Sequence, residues 1–395
     1  MASTKELFLQ NLAQTTDFPL ALEISSAKGN FIIDTSGKKY LDLISGISVS
    51  NIGHCHPKVI EAITEQSKKY MHLMVYGEYI QGPQVELSEK LLRHLDSSLH
   101  SIYLLNSGSE AIEGALKVAK RYTGRPEMVA FVDAYHGSSH GALSAMGNEE
   151  FKTNFRPLLP GFTHLPFNDV QALSAITKNT AAVLIEPIQG EAGYLVPNPG
   201  YLAAIRKRCD EVGALLIFDE IQTGFGRTGT FFAHQREGIV PDIITLAKGM
   251  GGGMPIGAFV TSKEIMDSLK ENPILGHITT FGGHPVSCAA AIANLDVLET
   301  ENWIEEVDAK SQLFKDLLVH PEIVSIKGRG FMLAVEMKSF DRLKTVIDRC
   351  IEKGLITDWF LFNDYSMRIA PPLPITEEEI RWACATILEA IEETK

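Results

Sequence analysis

Two polar residues that follow apolar runs, Asp219 and Lys248, are the side chains of this sequence best suited to chemistry. Asp219 follows the five apolar residues ALLIF, which predict a buried strand. A carboxylate at the end of such a strand needs a cationic partner, for example a protonated ring nitrogen. Lys248 ends the next apolar run and precedes the glycine-rich stretch GMGGG. A lysine desolvated at such a place has a lowered pKa and can condense with an aldehyde.

An anion-binding turn and an aromatic ring are predicted near these two residues. Ser107, Gly108 and Ser109 follow the apolar run IYLL and open a helix that we expect to begin at Glu110. The free backbone N–H groups of a helix start suit a phosphate, although the turn taken alone is also typical of a plain N-cap. Tyr135 follows another apolar run, MVAFV. Together, the four features match the needs of pyridoxal phosphate (PLP), a ring with a phosphate, an aldehyde and a basic nitrogen.

The elements that must position these residues alternate in the order of an α/β protein. From about residue 100, short apolar runs alternate with longer helical segments, which predicts a mainly parallel sheet covered by helices. In such sheets ligands bind beyond the carboxyl ends of the strands. The last hundred residues read as a smaller α+β lobe, and the first fifty contain a hairpin, NFIID and KKYLDLI. We therefore expect a large domain at 50–285 and a small domain made of 1–49 and 286–395.

Length, charge and cysteine content exclude several classes of protein. With 395 residues and 45% hydrophobic residues, the chain can bury a large core. A net charge of -13 disfavours nucleic acid and anionic membranes as partners. The five cysteines are scattered without a C-x-x-C pair, and no stretch is apolar enough to span a membrane or to serve as a signal peptide. We expect a cytoplasmic protein.

Three other patterns are weak matches to known sites. Residues 224–229 have the spacing G-x-G-x-x-G, but DEIQT separates them from the strand, which disfavours a dinucleotide site. Ser139 lies in a G-x-S-x-G pattern, so a serine hydrolase completed by Asp219 and a later histidine, His277 or His284, stays open. The histidine pairs lack a carboxylate in zincin spacing, and no metal site is predicted; these pairs are His54 with His56 and His136 with His140.

Longer blocks of the sequence resemble the class III, or ornithine-type, aminotransferases. They run in order along the chain and include NSGSEAIEGALKVAKRY, EPIQGEAGY, LLIFDEIQTGFGRTG, TLAKGMGGGMPIGA and TTFGGHPVSCAAA. The resemblance implies a PLP enzyme of fold type I with the cofactor on Lys248. It also implies a homodimer with active sites at the subunit interface.

Residue by residue, the resemblance implies a complete cofactor site. Asp219 would pair with the pyridine nitrogen, and Gln222 would bond the ring hydroxyl oxygen. Gly108 and Ser109 would hold the phosphate, and Tyr135 would stack on the ring. The remaining residues assigned to the cofactor are Ser107, His136, Glu186 and, reaching the partner subunit's cofactor, Thr280.

The resemblance says less about the substrate. Glu191 and Arg368 would lie at the substrate carboxylate site, with Arg368 as a carboxylate clamp. Ser138 is also assigned to substrate binding, and it stands where acetylornithine and 4-aminobutyrate aminotransferases usually have an arginine. We expect ping-pong transfer from an amine donor of the acetylornithine or ornithine type to a keto acid, with 2-oxoglutarate favoured. Another ω-amino acid or a diamine as donor stays open.

Overall fold

The structure of the protein is a computed structural model that describes residues 2–395. A seven-stranded sheet lies at its centre. Two smaller sheets have four and three strands. In chain order the strands are β1 (Ile24–Lys28), β2 (Phe31–Asp34), β3 (Lys39–Asp42), β4 (Ser101–Leu105), β5 (Glu127–Phe131), β6 (Phe162–Leu165), β7 (Thr180–Ile185), β8 (Leu215–Asp219), β9 (Ile243–Leu246), β10 (Gly257–Thr261), β11 (Ser325–Arg329), β12 (Met332–Glu336), β13 (Leu355–Ile356) and β14 (Ser366–Ile369).

Helices surround these sheets. They are α1 (Thr4–Asn11), α2 (Ser45–Ser48), α3 (Pro57–Lys69), α4 (Gly82–Leu92), α5 (Gly108–Thr123), α6 (His140–Ala145), α7 (Tyr201–Val212), α8 (Lys263–Asp267), α9 (Pro285–Thr300), α10 (Trp303–Leu317), α11 (Phe340–Glu352) and α12 (Glu377–Glu393). Within residues 2–395, none of the helices combines the length and the apolar character that crossing a bilayer requires.

The central sheet confirms the predicted α/β architecture. Its spatial order is β4, β10, β9, β8, β7, β5, β6, and only β10 runs antiparallel to its neighbours. Every residue of β7, β8 and β9 is buried. Both faces of these strands are covered, which explains why the sequence shows continuous apolar runs there instead of alternation.

The sheet brings the predicted chemistry to one edge. β8 and β9 are parallel neighbours, with Asp219 opposite Thr245, so Asp219 and Lys248 both lie at the carboxyl edge. Helix α5 begins at Gly108, two residues before the predicted start at Glu110, because Ser107 is its N-cap and accepts a hydrogen bond from the Glu110 N–H at 3.2 Å. Gly108 and Ser109 therefore belong to the first turn of the helix.

The two ends of the chain share a sheet. The predicted hairpin is β2 with β3, and β13 adds to β3 in parallel. The Leu43 N–H donates to the Ile356 carbonyl at 3.0 Å, which continues this pairing. The third sheet contains β11, β12 and β14. These pairings support the division into 50–285 and 1–49 with 286–395, which stays a prediction.

Helix α2 is a left-handed turn. Its four residues, 45–48, have φ values of 48, 63, 59 and 63°, a conformation that costs L-residues about 1–2 kcal/mol each. Asp42 holds the entry, because its Oδ1 accepts hydrogen bonds from the backbone N–H groups of Ile44 and Ser45 at 2.8 and 2.9 Å. Arg227 donates to Ser45 Oγ at 3.1 Å. The turn places Val49 on the wall of the cavity described below.

Candidate active site

A cavity of about 450 Å³ lies at the carboxyl edge of the central sheet. Nine of the ten residues predicted for the cofactor line it: Ser107, Gly108, Ser109, Tyr135, His136, Glu186, Asp219, Gln222 and Lys248. Thr280 is not part of this lining, and neither are the predicted substrate residues Glu191, Arg368 and Ser138. The structure thus brings the cofactor residues together within one chain and places the substrate residues around them.

Asp219 is held in one orientation by three donors. Its Oδ1 accepts hydrogen bonds from the Ile221 N–H at 3.1 Å and the Thr245 hydroxyl at 3.3 Å, and its Oδ2 lies 2.7 Å from His136 Nδ1. The carboxylate is 4% exposed. Sequence reasoning missed Thr245, although the parallel register of β8 and β9 places it beside Asp219. A buried carboxylate fixed in this way is suited to hold a proton on a ring nitrogen.

Lys248 is largely buried at the end of β9. Burial lowers the pKa of its ammonium group, and the nearby Arg368 guanidinium lowers it further, whereas Glu191, Asp219 and Glu186 oppose the shift. A larger share of Lys248 is therefore neutral and nucleophilic than for a lysine in water. This is the state that condensation with an aldehyde and proton transfer at carbon both require.

The first turn of α5 offers free donors to an anion. Ser107 caps the helix, so the N–H groups of Gly108 and Ser109 at its positive end can bind an anion. The neighbouring backbone is close, since a Cβ at Gly257 would lie 2.2 Å from the Ser107 carbonyl oxygen. Ser109 Oγ also accepts a hydrogen bond from the Ser138 N–H at 3.2 Å, which ties the loop after β5 to this turn.

Glu186 braces the loop that carries the aromatic ring. It accepts hydrogen bonds from the backbone N–H groups of Tyr135 at 3.1 Å and Gly190 at 2.9 Å. Burial raises the pKa of the Glu186 carboxyl to about 7, although His136 acts in the opposite direction. Tyr135 lines the cavity, and its hydroxyl lies 3.2 Å from Ser138 Oγ.

The residues present fit PLP. Within residues 2–395, two buried polar atoms that belong to cavity-lining residues have no hydrogen-bond partner: His136 Nε2 and Gln222 Oε1. Gly190 leaves room for the Gln222 amide, since a Cβ there would lie 2.7 Å from Gln222 Nε2. Unpaired buried polar atoms are costly unless a ligand uses them. Together with the helix start, Asp219 and Lys248, they provide partners for a phosphate, a ring nitrogen, a ring substituent and an aldehyde.

The predicted substrate residues Glu191 and Arg368 bind each other. Arg368 Nη1 and Nη2 donate to the two carboxylate oxygens of Glu191 at 3.1 and 2.9 Å, and both side chains are buried. Burial alone would raise the pKa of Glu191, but the Arg368 guanidinium outweighs it and holds that pKa below its usual range. The terminal edge of Arg368 is therefore occupied, and a substrate carboxylate has to replace Glu191 to reach it.

A second carboxylate, Asp358, also binds Arg368. Its Oδ1 accepts a hydrogen bond from Arg368 Nε at 2.9 Å, and burial raises the pKa of its carboxyl to about 6. The Phe360 ring lies against the guanidinium, with 4.4 Å from Arg368 Cζ to the ring centroid. Sequence reasoning missed Asp358, because it lies in an irregular segment between β13 and β14 that carries no motif.

Thr280 lies apart from this cavity and is exposed. Its carbonyl oxygen forms a hydrogen bond of 2.9 Å with His72 Nε2. Its predicted contact with a partner subunit's cofactor stays a prediction.

The serine-hydrolase alternative has no assembled triad. Ser139 donates its hydroxyl hydrogen bond to Glu113 Oε1 at 2.6 Å, and the same oxygen accepts the Gly141 N–H at 2.7 Å. His277 Nδ1 bonds Lys117 at 2.9 Å, and His284 Nδ1 accepts the Val286 N–H. Asp219 is bound to His136. Ser139 therefore serves to anchor the start of α6 to Glu113.

The other two patterns also have structural partners. In the segment 224–229, Arg227 is fully buried and donates to Pro371 O, Asn51 Oδ1 and Ser45 Oγ, so this glycine-rich turn joins the N-terminal and C-terminal segments. His54 Nε2 lies 2.8 Å from Asp42 Oδ2. Among residues 2–395, no cluster of three or more His, Cys, Asp or Glu side chains is arranged to hold a metal ion.

Known proteins resemble this chain over nearly its whole length. Residues 12–391 match the family model described as Aminotransferase class-III. An acetylornithine aminotransferase from Methanopyrus kandleri is 39% identical over 377 residues, which cover 95% of each chain. The structure of an ornithine aminotransferase from Toxoplasma gondii with partial occupancy of PLP at its active site superposes with a TM-score of 0.91 at 32% identity, covering 98% of this chain and 93% of that chain. An adenosylmethionine-8-amino-7-oxononanoate aminotransferase from Methanocaldococcus jannaschii has a TM-score of 0.92 at 30% identity, with 99% of both chains covered.

Proposed function

The chain belongs to the class-III aminotransferases, which are PLP-dependent enzymes, and on this premise we propose that it transfers the terminal amino group of an acetylornithine-like donor to 2-oxoglutarate. The observation that carries this proposal is the meeting of Lys248, Asp219 and the start of α5 at one cavity. The acetylornithine aminotransferases among the relatives, at 38–39% identity, support this donor class.

Several residues of the cavity have separate tasks in this reaction. When bound, PLP supplies an aldehyde that takes up the donor's amino group and a ring that accepts the electron pair released at the donor carbon. Lys248 would hold the cofactor at rest, and once the donor's amino group has replaced it, its neutral amine would take up the proton from the donor carbon. Asp219 keeps the ring nitrogen protonated, in an orientation set by Thr245 and His136. The N–H groups of Gly108 and Ser109 hold the phosphate.

Carboxylate recognition falls to Arg368 in this proposal. Glu191 occupies its terminal edge at rest, and a substrate carboxylate binds by taking the place of Glu191. Donors with no carboxylate leave the Glu191 pair intact. For this reason, and because Ser138 provides no charge beside Tyr135, a diamine or another ω-amine is the second candidate donor.

The first experiment tests the cofactor attachment. The purified protein is reduced with borohydride, digested and mapped by mass spectrometry, with Lys248→Ala as the control. We expect a pyridoxyl adduct on Lys248 in the wild type and none elsewhere. An adduct on another lysine, with Lys248 unmodified, would contradict the proposal.

The second experiment tests the donor. N-acetylornithine, ornithine, 4-aminobutyrate and a simple diamine are each assayed with 2-oxoglutarate, and glutamate is measured as product. We expect the highest kcat/KM with N-acetylornithine. A preference for the diamine would favour the second candidate, and no turnover with any donor would refute the function.

We also propose a homodimer, because the segments 71–85 and 274–281, which a hydrogen bond between His72 and Thr280 joins, expose many apolar residues. Ile80 is 95% exposed and Ile274 75% exposed. The other exposed apolar residues of the two segments 71–85 and 274–281 are Met71, Leu73, Met74, Tyr79, Val85, Leu275, Ile278 and Phe281. In sedimentation experiments, Ile80→Glu should produce monomers, whereas Val319→Glu, a change at a residue 75% exposed elsewhere, should not. Dissociation by neither variant would contradict this interface.

A cytoplasmic location is part of the proposal as well. All five cysteines are free, and four of them are buried: Cys209, Cys288, Cys350 and Cys384. Free thiols in this number suit a reducing compartment. Fluorescence microscopy of the tagged chain in its own cell tests this location, and a signal outside the cytoplasm would contradict it.

A further inference from the structure

Arg368 has two edges, and each edge binds a different carboxylate. The terminal edge, Nη1 and Nη2, donates to Glu191 at 3.1 and 2.9 Å. The side edge, Nε, donates to Asp358 Oδ1 at 2.9 Å. The two carboxylates differ in access, because Glu191 is buried whereas the Asp358 side chain keeps 30% of its surface exposed.

The contacts of Arg368 that do not involve Glu191 come largely from one short segment, 358–360. The Arg368 backbone N–H donates to the Asp358 carbonyl at 2.9 Å, so the two residues are also joined through the main chain. The Trp359 carbonyl accepts from Nη2 at 3.4 Å, and the Phe360 ring covers one face of the guanidinium. Among these contacts, the Asp358 carboxylate alone binds Nε, and it therefore sets the rotation of the guanidinium in its plane.

We propose that Asp358 is a positioning residue that keeps the terminal edge of Arg368 aimed at the substrate carboxylate while that carboxylate takes the place of Glu191. The inference rests on the proposed function, since it assumes that Arg368 binds a substrate carboxylate. In this proposal the segment 358–360 preorganises the guanidinium, so that a substrate carboxylate replaces Glu191 without a movement of the arginine.

The charge of Asp358 also supports its proposed role as a positioning residue. A planar guanidinium binds a carboxylate best when both of its parallel donors stay aligned. If Nε were free, Arg368 could follow Glu191 as that side chain moves away, and the aligned edge would be lost. Asp358 prevents this, because it leaves the arginine with a charged partner in every stage of the exchange. Arg368 lowers the pKa of the Asp358 carboxyl, whereas Glu191 and Asp42 raise it.

The test uses the PLP-loaded enzyme and glutarate, a dicarboxylate that cannot react. Calorimetric titration measures its Kd for the wild type, Asp358→Ala, Asp358→Asn and Arg368→Ala. Asp364→Ala is the matched control, because Asp364 is an exposed acid in the same β13–β14 connection. We expect Asp358→Ala to weaken glutarate binding by about tenfold. Asp358→Asn should stay within about threefold of the wild type, because its amide oxygen still accepts from Nε.

Steady-state kinetics separate positioning from a general loss of structure. Asp358→Ala should raise the KM for 2-oxoglutarate and leave kcat within about twofold, while kcat/KM for a primary amine without a carboxylate stays unchanged. If Asp358→Ala does not fold, Asp358→Leu carries the same expectation, because leucine has the same branched shape and cannot accept a hydrogen bond.

Three outcomes would overturn the inference. The first is wild-type glutarate affinity in Asp358→Ala, and the second is an Asp358→Asn variant as weak as Asp358→Ala. The third is unchanged glutarate affinity in Arg368→Ala, which would also remove the proposed role of Arg368. Loss of affinity in Arg368→Ala alone would refute the role of Asp358 and leave the proposed function intact.

Discussion

Replacing Glu191 by glutamine should make the enzyme bind carboxylates more tightly. Glu191 competes with any substrate carboxylate for the terminal edge of Arg368, through contacts of 3.1 and 2.9 Å. A hydrogen bond to a charged group contributes about 1.5–3 kcal/mol. Glutamine offers the Arg368 guanidinium one acceptor oxygen in place of two, so one such bond is lost. The resident competitor is thus weakened by about 2 kcal/mol, which corresponds to about 30-fold in affinity.

The assay is calorimetric titration of the PLP-loaded protein with glutarate. Glu191→Gln should lower the Kd by about 30-fold. Arg368 keeps Asp358 as a charged partner, so the variant is expected to remain folded. The matched control is Glu237→Gln, which weakens an arginine pair of 2.9 Å with Arg329 away from the cavity and should leave the Kd unchanged. Binding of glutarate that is no tighter in Glu191→Gln than in the wild type would refute the exchange of carboxylates.

Three further changes test other parts of the molecule. Asp219→Asn removes the charge that keeps the ring nitrogen protonated, so turnover should fall by at least about 100-fold while the PLP absorbance stays; near-normal turnover would contradict this role. The pKa of Glu186 is raised to about 7 in the fold, whereas the unfolded chain ionises near its ordinary value of 4.5, so deprotonation destabilises the fold as the pH rises between the two. The unfolding midpoints of the cofactor-free wild type and of cofactor-free Glu186→Gln are compared. The midpoint of the variant should rise relative to that of the wild type between about pH 5 and about pH 8. A difference that does not change with pH would show that the pKa of Glu186 is not raised. Gly46→Ala adds a Cβ at φ 63° and should lower the free energy of unfolding by about 1 kcal/mol. The control Gly82→Ala lies at the start of α4 with open space around it and should not lower it. Equal effects of the two variants in denaturant melts would show that α2 is not strained.

Much of the fold followed from periodicity in the sequence. Helices α7 and α12 form where apolar positions repeat with the helical period, and Thr376 caps α12. Asp219 and Lys248 meet because parallel strands end at the same edge of a sheet, which the alternation of runs already implied.

Other features depend on tertiary contacts that leave no local pattern. The antiparallel strand β10 was not predicted. The chain reverses direction after β9, so that β10 lies between β9 and β4 and pairs with both. The left-handed turn at 45–48 has an ordinary sequence, SGIS, and is held by Asp42 and the distant Arg227. Asp358 acquires its role only through Arg368, ten residues further along the chain. Arg368 was predicted as a carboxylate clamp, whereas its pairing with Glu191 spans 177 positions and could not be read from either motif.

The sheet shared by the two ends of the chain has a consequence for synthesis on the ribosome. Strand β3 pairs in parallel with β13, and Leu41 in β3 is fully buried in the finished protein. The Leu43 carbonyl likewise accepts the Ala370 N–H at 2.7 Å. These partners emerge more than three hundred residues after the hairpin. The apolar face and one strand edge of the nascent hairpin therefore stay uncovered until these later residues have been made, and protection by a chaperone would matter most during that interval.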